Sequence, residues 1–339
     1  MRPGDDSLGR RLLRRLLAAV LAVLIGAGGA EALYHLSLQP GAAIVAAVFS
    51  GMSGVTPPAG YARVASTVSE RRVRVAVAGA PTAYLDIYTP DGADGKPRPM
   101  ILWVHGGGFL SGAASDVADY ATLLAHAGYI VASLDYSLAP GSRYPVPVRQ
   151  ANAALAYLRG NASQLGGDPT RMVLGGDSAG AQIASQLAAV QTNTALASSM
   201  GLTAAVPAGT LRGVVLFCGI YDMSTVGSSG FPAMRTYLWA YTGTRDWTSY
   251  PEIDQLSTVK QVTARYPPTF LSDGDADPFH SQSAELATVL KSYGVPLTTL
   301  LWTGTDDDLG HEYQFRFNTP EANTALAQTL GFLAAETKG

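Results

Sequence analysis

The sequence predicts an α/β fold, with a mostly parallel central sheet and helices on both faces. Three observations lead to this prediction. Short apolar runs alternate along the chain with longer segments of helical spacing, as in repeated strand–helix units. Apolar residues make up 47% of the 339 residues, which is enough to bury a large core. Charged residues make up only 14%, so the composition argues against disorder.

The predicted sheet opens with an antiparallel hairpin, because its first two segments alternate polar and apolar residues. Continuous apolar runs farther along the chain then predict buried parallel strands. The predicted strands are residues 72–78, 84–88, 100–104, 129–134, 171–174, 214–217, 269–271 and 297–302. The predicted helices are residues 119–127, 148–159, 179–190, 282–293 and 320–336. Gly294 suits the end of the fourth helix, and Pro320 suits the start of the fifth.

Residues 1–51 are interpreted as an N-terminal signal peptide or membrane anchor region. Five arginines precede the apolar run at 16–25, and small residues follow it, as in a secretory signal. The segment 30–32 suits a cleavage site, although an uncleaved anchor is the alternative. In both cases the arginines stay in the cytoplasm and the rest of the chain is exported. A second apolar patch at 42–49 is too short to span a membrane, so it packs on the domain or lies at the membrane surface.

The rest of the chain is predicted to divide into a linker and one domain. Residues 52–69 are rich in glycine and proline and are predicted to be the linker. Residues 70–339 form the domain. The net charge is −3 and no basic run follows the N-terminus, which argues against a nucleic-acid partner. Cys218 is the one cysteine, and it is predicted to be a small buried apolar residue. No Cys/His cluster has zinc spacing, so we expect neither metal nor cofactor.

The sharpest chemical signal is the pentapeptide Gly176-Asp177-Ser178-Ala179-Gly180. It matches G-x-S-x-G and lies between a predicted strand and a predicted helix. A serine on such a tight turn exposes its hydroxyl above the sheet, where it can act as a nucleophile. An ordinary glycine-rich turn is the plain alternative, and the partner residues described next argue against it.

A second motif, His105-Gly106-Gly107-Gly108, follows the predicted strand 100–104. Consecutive glycines leave backbone amides free to point at one spot and stabilise a negative oxygen. We expect the oxyanion donors to be the amides of Gly107, Gly108 and Ala179. A phosphate-binding loop is less consistent with the sequence, because no lysine follows at the required spacing. His105 is expected to be structural.

The general base is expected to be a histidine that follows the serine in the chain. His311 comes after the last predicted strand and a flexible acidic loop. His280 is the other candidate, but it lies near the start of a helix, a poor position for reaching Ser178.

The acid that orients the base should follow strand 269–271. Asp273, Asp275 and Asp277 all lie there, and Asp277 stands at the far end of the loop, before a proline. Asp277 is therefore the predicted acid, with Asp222 as the alternative. The acidic run 306–308 is interpreted as a solvated loop.

Together these residues resemble the α/β-hydrolase superfamily, and within it the hormone-sensitive-lipase-like and BD-FAE-like serine esterases. The resemblance covers roughly residues 70–335, with HGGG, GDSAG, Asp-Pro and His in the family order. It implies the α/β-hydrolase fold, the triad of Ser178, Asp277 and His311, and the oxyanion hole named above. Two positions depart from the family: Phe109 stands where Trp is common, and Glu312 where Gly is common.

An aromatic-rich segment at 222–260 is predicted to be a small cap over the cleft. An apolar lining would suit an acyl chain or an aromatic ester. Phe109, Tyr136 and Trp239 are the candidate substrate-binding residues. Plain packing of this segment onto the sheet is the alternative.

The expected function is hydrolysis of small-molecule carboxylic esters through an acyl-enzyme, on short- to medium-chain or aromatic esters. An arylformamidase or amidase would use the same triad. A catalytically inactive α/β-hydrolase that serves as a binding module is the alternative from another class.

Overall fold

A computed structural model describes residues 38–50, 54–92, 95–305 and 308–338. Eight strands in the described residues form one sheet in the order β1-β2-β4-β3-β5-β6-β7-β8. The strands are β1 (Val68–Val75), β2 (Ala83–Pro90), β3 (Arg98–Val104), β4 (Ile130–Asp135), β5 (Gly167–Asp177), β6 (Leu211–Phe217), β7 (Thr269–Asp273) and β8 (Leu297–Leu301). Strands β1 and β2 pair antiparallel, as do β2 and β4, and all other pairs are parallel. The predicted fold class is confirmed.

The predicted helices are all present in the structure, within a few residues of their expected ends. The helices of the described chain are α1 (Leu38–Ser50), α2 (Tyr61–Ala65), α3 (Ala118–His126), α4 (Val146–Gly160), α5 (Ala162–Leu165), α6 (Ser178–Thr192), α7 (Thr194–Ser199), α8 (Met234–Thr242), α9 (Ile253–Leu256), α10 (His280–Ser292) and α11 (Pro320–Glu336). Strand β5 is much longer than residues 171–174, because its pairing with β3 and β6 continues to the serine turn.

The central strands are buried on both faces, which explains their unbroken apolar runs. In β3, Leu102 and Val104 face a core packed by α4, α6 and α10. Ile101 and Trp103 point to the opposite face, against α3 and α11. Because side chains alternate along a strand, the sheet separates two helical layers.

Helix α1 contains the apolar patch that the sequence places at 42–49. Ala42 and Val45 are buried against Tyr237 and Ala240 of α8. This part of the patch therefore packs on the domain, whereas Ile44 is exposed. The signal or anchor segment itself lies outside the described residues. Within the ranges that the structure describes, no helix is both long enough and apolar enough to cross a membrane.

The predicted linker over 52–69 is wrong in its described part. Helix α2 lies within it, and β1 already begins at Val68. Val55, Tyr61 and Val64 pack against the core. The backbone of Thr56 also bonds to that of Phe315 and Phe317. The glycines and prolines of this segment make turns between packed residues, so composition alone was misleading.

The aromatic-rich segment 222–260 joins β6 to β7 and contains α8, α9 and three short 3₁₀ turns. Tyr237 of α8 lies directly over Gly108, where an added Cβ would stand 2.2 Å from its ring. The segment therefore covers the carboxyl end of the sheet, where parallel α/β folds place their sites. Its buried tyrosines also pack on the domain, so covering and packing occur together.

Gly180 allows α6 to cross β3 closely, and Gly180→Ala tests this packing. An added Cβ would lie 2.0 Å from the carbonyl oxygen of Val104. We expect Gly180→Ala to lower the free energy of unfolding by about 3 kcal/mol, measured by chemical denaturation. Gly331→Ala is the matched control, because nothing lies within 4 Å of its Cβ. Because Gly331 lies in the interior of α11, Gly331→Ala should raise the free energy of unfolding by about 0.5–1 kcal/mol. Equal effects of the two substitutions would contradict the close crossing.

Candidate active site

Ser178 lies on a strained turn between β5 and α6. Its φ of 49° is in the left-handed region, which residues with a Cβ rarely adopt. Gly176 and Gly180 permit this turn, since a Cβ on Gly176 would stand 2.6 Å from the backbone of Gly180. The hydroxyl is thereby held at the start of α6, at the carboxyl edge of the sheet. This is the strand-turn-helix arrangement that the sequence predicts.

His311 joins the serine to a carboxylate through its two ring nitrogens. The Ser178 hydroxyl lies 2.9 Å from His311 Nε2, and His311 Nδ1 lies 2.8 Å from Asp277 Oδ2. The Asp277 side chain is fully buried, and Asp277 Oδ1 accepts a 2.7 Å bond from the Phe279 amide. Because an ionised carboxylate only accepts, Nδ1 carries the proton in neutral His311, and Nε2 is then left to accept from Ser178.

The rival candidates lie elsewhere. His280 Nδ1 stands 3.2 Å from the carbonyl oxygen of Gly274. Asp222 accepts from the amide and the hydroxyl of Ser224. Asp275 accepts from Thr305 and Leu309, and so fixes the loop that leads to His311. Asp306 and Asp307 lie outside the described residues.

Charges around His311 control its proton affinity. Burial lowers the pKa of His311, but the carboxylates of Asp277 and then Glu312 outweigh it and raise the pKa to about 9. Burial would likewise raise the pKa of Asp277, yet the charge and hydrogen bond of His311 lower it overall. Burial and then the charge of Asp277 raise the pKa of Asp273 to about 8, so Asp273 is a neutral acid at neutral pH.

The glycine loop after β3 is attached to the serine turn, because the Gly106 amide donates to Asp177 Oδ2 at 2.7 Å. Gly107 and Gly108 have φ of 98° and 61°, and their amides donate to no acceptor among the described residues. The amide of Ala179, in the first turn of α6, is free of an intrahelical partner. The three predicted donors thus remain available for an oxyanion.

His105 supports this loop from below, as the sequence predicts. Its Nδ1 lies 2.8 Å from the carbonyl oxygen of Gly106, and its ring stacks on Tyr136. The Tyr136 hydroxyl donates to the carbonyl oxygens of His105 and Gly106, at 3.2 Å each.

The candidate substrate residues require correction. Phe109 is 1% exposed and stacks on Tyr241 with ring centroids 3.8 Å apart. Tyr136 is 3% exposed and holds the glycine loop. Neither residue has surface left for a substrate. Trp239 is partly exposed on the outer face of α8, beside Arg245 and a cavity that Phe231 also lines. The side chains whose rings contact His311 are instead Phe231 and Phe279, at 5.3 and 5.2 Å.

Two carboxyl groups of the site were not assigned from the sequence. Asp177 accepts from Trp103 Nε1 at 2.8 Å and from the Gly106 amide at 2.7 Å. Glu312 Oε1 lies 3.7 Å from His311 Nε2. The signal for Glu312 was its departure from the glycine common in the resembled family.

Cys218 is buried as predicted, but it also has polar contacts. Its thiol donates to Gln314 Oε1 at 3.3 Å and accepts from the Glu312 amide at 3.4 Å. Cys218, Asp277 and His311 are the one metal-like grouping in the described ranges, with ligand atoms within 4.8 Å. Because Asp277 and Ser178 already occupy both ring nitrogens of His311, the grouping belongs to the triad.

Comparison with known proteins identifies the family of this chain. The BD-FAE family model matches residues 85–290, which is more than half of the sequence. The chain belongs to the BD-FAE family. The resemblance drawn from the sequence motifs is thus confirmed, and the matched range contains Ser178 and Asp277 but ends before His311.

Several named esterases are similar to this BD-FAE chain. Esterase LipC of Mycobacterium tuberculosis is 30% identical over 215 residues, which cover 61% of this chain and 51% of LipC. Versiconal hemiacetal acetate esterase of Dothistroma septosporum is 26% identical over 267 residues, or 75% of this chain and 78% of the relative. This chain therefore spans about half the length of LipC, and likewise of LipQ.

Solved structures agree on the fold of the BD-FAE chain. The structure titled bacterial heroin esterase superposes with a TM-score of 0.69 at 24% identity. The superposition covers 82% of this chain and 88% of the other. This likeness shows the α/β-hydrolase fold.

The raised pKa of His311 predicts an alkaline pH profile. His311 can take a proton from Ser178 only when neutral, so activity should be lost as the pH falls through its pKa. With a pKa of about 9, kcat/KM for an uncharged ester should rise with pH to a half-maximum near pH 9. The measurement is the pH dependence of kcat/KM, corrected for spontaneous hydrolysis. A half-maximum at or below the ordinary histidine value of about 6.5 would contradict this electrostatic account.

Proposed function

We propose that this BD-FAE protein is a serine carboxylesterase that works through an acyl-enzyme on Ser178. One observation carries the proposal. The Ser178 hydroxyl, both His311 nitrogens and the buried Asp277 carboxylate form one hydrogen-bonded chain of 2.9 and 2.8 Å. The amides of Gly107, Gly108 and Ala179, in the loop joined to the serine turn and in the first turn of α6, donate to no acceptor among the described residues. This combination serves acyl transfer, since it supplies a nucleophile, a base, an orienting acid and an oxyanion site.

The first half of the reaction acylates the serine. Ser178 Oγ attacks the carbonyl carbon of the ester while its proton passes to His311 Nε2. The carbonyl oxygen becomes an oxyanion and accepts hydrogen bonds from the amides of Gly107, Gly108 and Ala179. When the tetrahedral intermediate collapses, the bond to the alkoxy oxygen breaks and His311 gives the proton to the leaving alcohol.

The second half releases the acid. A water molecule gives a proton to His311 and attacks the acyl carbon through the same oxyanion site. The bond to Ser178 Oγ then breaks, and the serine recovers its proton from His311. Asp277 remains ionised throughout and stabilises the imidazolium of each half.

The surroundings of His311 favour small apolar or aromatic esters. Phe231 and Phe279 place ring edges beside the imidazole. Aromatic walls close to the reacting atoms would bind an acyl chain of short to medium length or an aromatic group. The names of LipC, LipQ and versiconal hemiacetal acetate esterase, all esterases, support esters as the substrates. Action outside the cytoplasm remains a proposal that rests on the N-terminal segment.

Hydrolysis of p-nitrophenyl esters, from acetate to palmitate, tests the nucleophile. Ser178→Ala should lower kcat by at least about 10³-fold, because no other described hydroxyl contacts His311 Nε2. The matched control is Ser163→Ala, an exposed serine far from the site, which should hydrolyse the esters normally. Full activity of Ser178→Ala would reject this nucleophile. If the folded wild type hydrolysed none of these esters, the result would favour an amidase, a formamidase or a binding role.

The base is tested with a second pair of variants. His311→Ala should lose activity to a similar degree, because it removes the proton acceptor of Ser178. His280→Ala leaves the 2.9 Å contact between His311 and Ser178 in place, so its kcat should be within about threefold of the wild-type value. If the two variants exchanged these effects in the same assay, the assignment of the base would be wrong.

A further inference from the structure

Glu312 occupies a backbone position that its side chain makes unfavourable. Its φ is 57° and ψ 32°, a left-handed conformation in which a residue with a Cβ is sterically disfavoured. The resembled family commonly has glycine here, for which the conformation is free. Strain held at a site suggests a role for the side chain that causes it.

The Glu312 carboxyl lies between the catalytic base and the glycine loop. Its Oε1 is 3.7 Å from His311 Nε2. A Cβ on Gly106 would stand 2.8 Å from Glu312 Oε1 and 2.5 Å from Asp177 Oδ2. The two carboxyl groups therefore meet over Gly106, and only a glycine leaves room for both. The Glu312 side chain is 24% exposed, so a ligand can reach it.

Asp177 is the member of this carboxyl pair that keeps its proton. Burial and then the charge of the neighbouring Glu312 raise the pKa of Asp177 well above its usual range. Among the described residues, no arginine or lysine forms an ion pair with Asp177 or Glu312. The cationic partner of Glu312 is His311 in its protonated form, with Nε2 at 3.7 Å. When His311 is neutral, as the proposed reaction requires, the Glu312 carboxylate can attract a cationic ligand.

The Glu312 carboxyl lies near the nitrogen that protonates the leaving group, because His311 Nε2 gives its proton to the leaving alcohol in the proposed reaction. To be protonated, the leaving alkoxy oxygen must come within hydrogen-bond distance of Nε2. A group two or three bonds beyond that oxygen then comes within reach of Glu312 Oε1. Glu312 would thus face the alcohol portion of an ester.

We propose that Glu312 is a specificity-determining residue that selects esters whose leaving alcohol carries a protonated amine. This inference rests on the proposed ester hydrolysis and names a substrate class for it. The ammonium group would be attracted to the Glu312 carboxylate, which lies beside His311 Nε2. An alcohol that carries a carboxylate would be repelled by the same charge.

The test compares two esters of equal shape. Dimethylaminoethyl butyrate carries an ammonium group at neutral pH, and isoamyl butyrate has a CH group in its place. For the full-length wild type we expect kcat/KM to be about two- to fivefold higher for the amine ester at low salt, as a partly exposed charge pair allows. Because exposed charges are screened, added salt should reduce the ratio.

Two variants connect this preference to Glu312. In Glu312→Gln the ratio of the two kcat/KM values should fall to about one, since the charge is removed. Glu312→Gly removes the charge and also relieves the left-handed backbone, so it should fold at least as well and give the same ratio. Glu336→Gln, at the far end of α11, removes an equal charge elsewhere and should keep the wild-type ratio.

The outcomes separate the two proposals. A wild-type ratio near one, or a ratio that both Glu312 variants leave unchanged, overturns the specificity of Glu312 while ester hydrolysis stands. If the wild type hydrolyses neither butyrate and no p-nitrophenyl ester, the proposed function fails, and the inference about Glu312 fails with it.

Discussion

The close crossing of β5, α6 and β3 is the constraint on which the site depends. Ser178 can hold φ of 49° only because the glycines on either side let the backbone segments nearly touch. The turn costs conformational energy, which the buried helix α6 offsets with its apolar contacts to both neighbouring strands. In return, the hydroxyl and the amide of Ala179 reach the same point from a rigid element. Rigid support of this kind keeps reacting groups aligned before a substrate arrives.

Electrostatics divide the carboxyl groups of the site into different roles. Asp277 is ionised because His311 compensates for its burial, whereas Asp273, four residues earlier, is kept neutral by burial and by the charge of Asp277. Asp177 is buried too, but it serves the glycine loop through the Gly106 amide. The three aspartates thus differ in role because their surroundings differ. Asp277 bonds to His311, Asp273 is buried near it, and Asp177 bonds to the glycine loop. The charge of Asp277, followed by that of Glu312, raises the pKa of His311.

Much of this arrangement could be predicted from local sequence. The nucleophile turn follows from five consecutive residues, and position after the last strand rather than at the start of a helix separates His311 from His280. Asp277 could be predicted because the end of β7 fixes which loop approaches the histidine. The packed structure of the segment predicted to be a linker could not be predicted. Its glycines and prolines indicate turns, but they do not indicate that Val55 and Tyr61 pack on the core between those turns. Phe109 and Tyr136 were misplaced because an aromatic residue near a site can equally well support it from behind. The position of the Glu312 carboxylate depends on a left-handed backbone that glutamate itself disfavours, so no propensity indicates it.

The central claim is that Ser178 is the residue that becomes acylated. The most direct measurement is reaction of the purified protein with a fluorophosphonate probe, followed by peptide mapping of the adduct by mass spectrometry. The account predicts one adduct per chain, on Ser178, because His311 makes this hydroxyl nucleophilic. A folded protein that takes up no probe, or carries the adduct on another residue, would contradict the account.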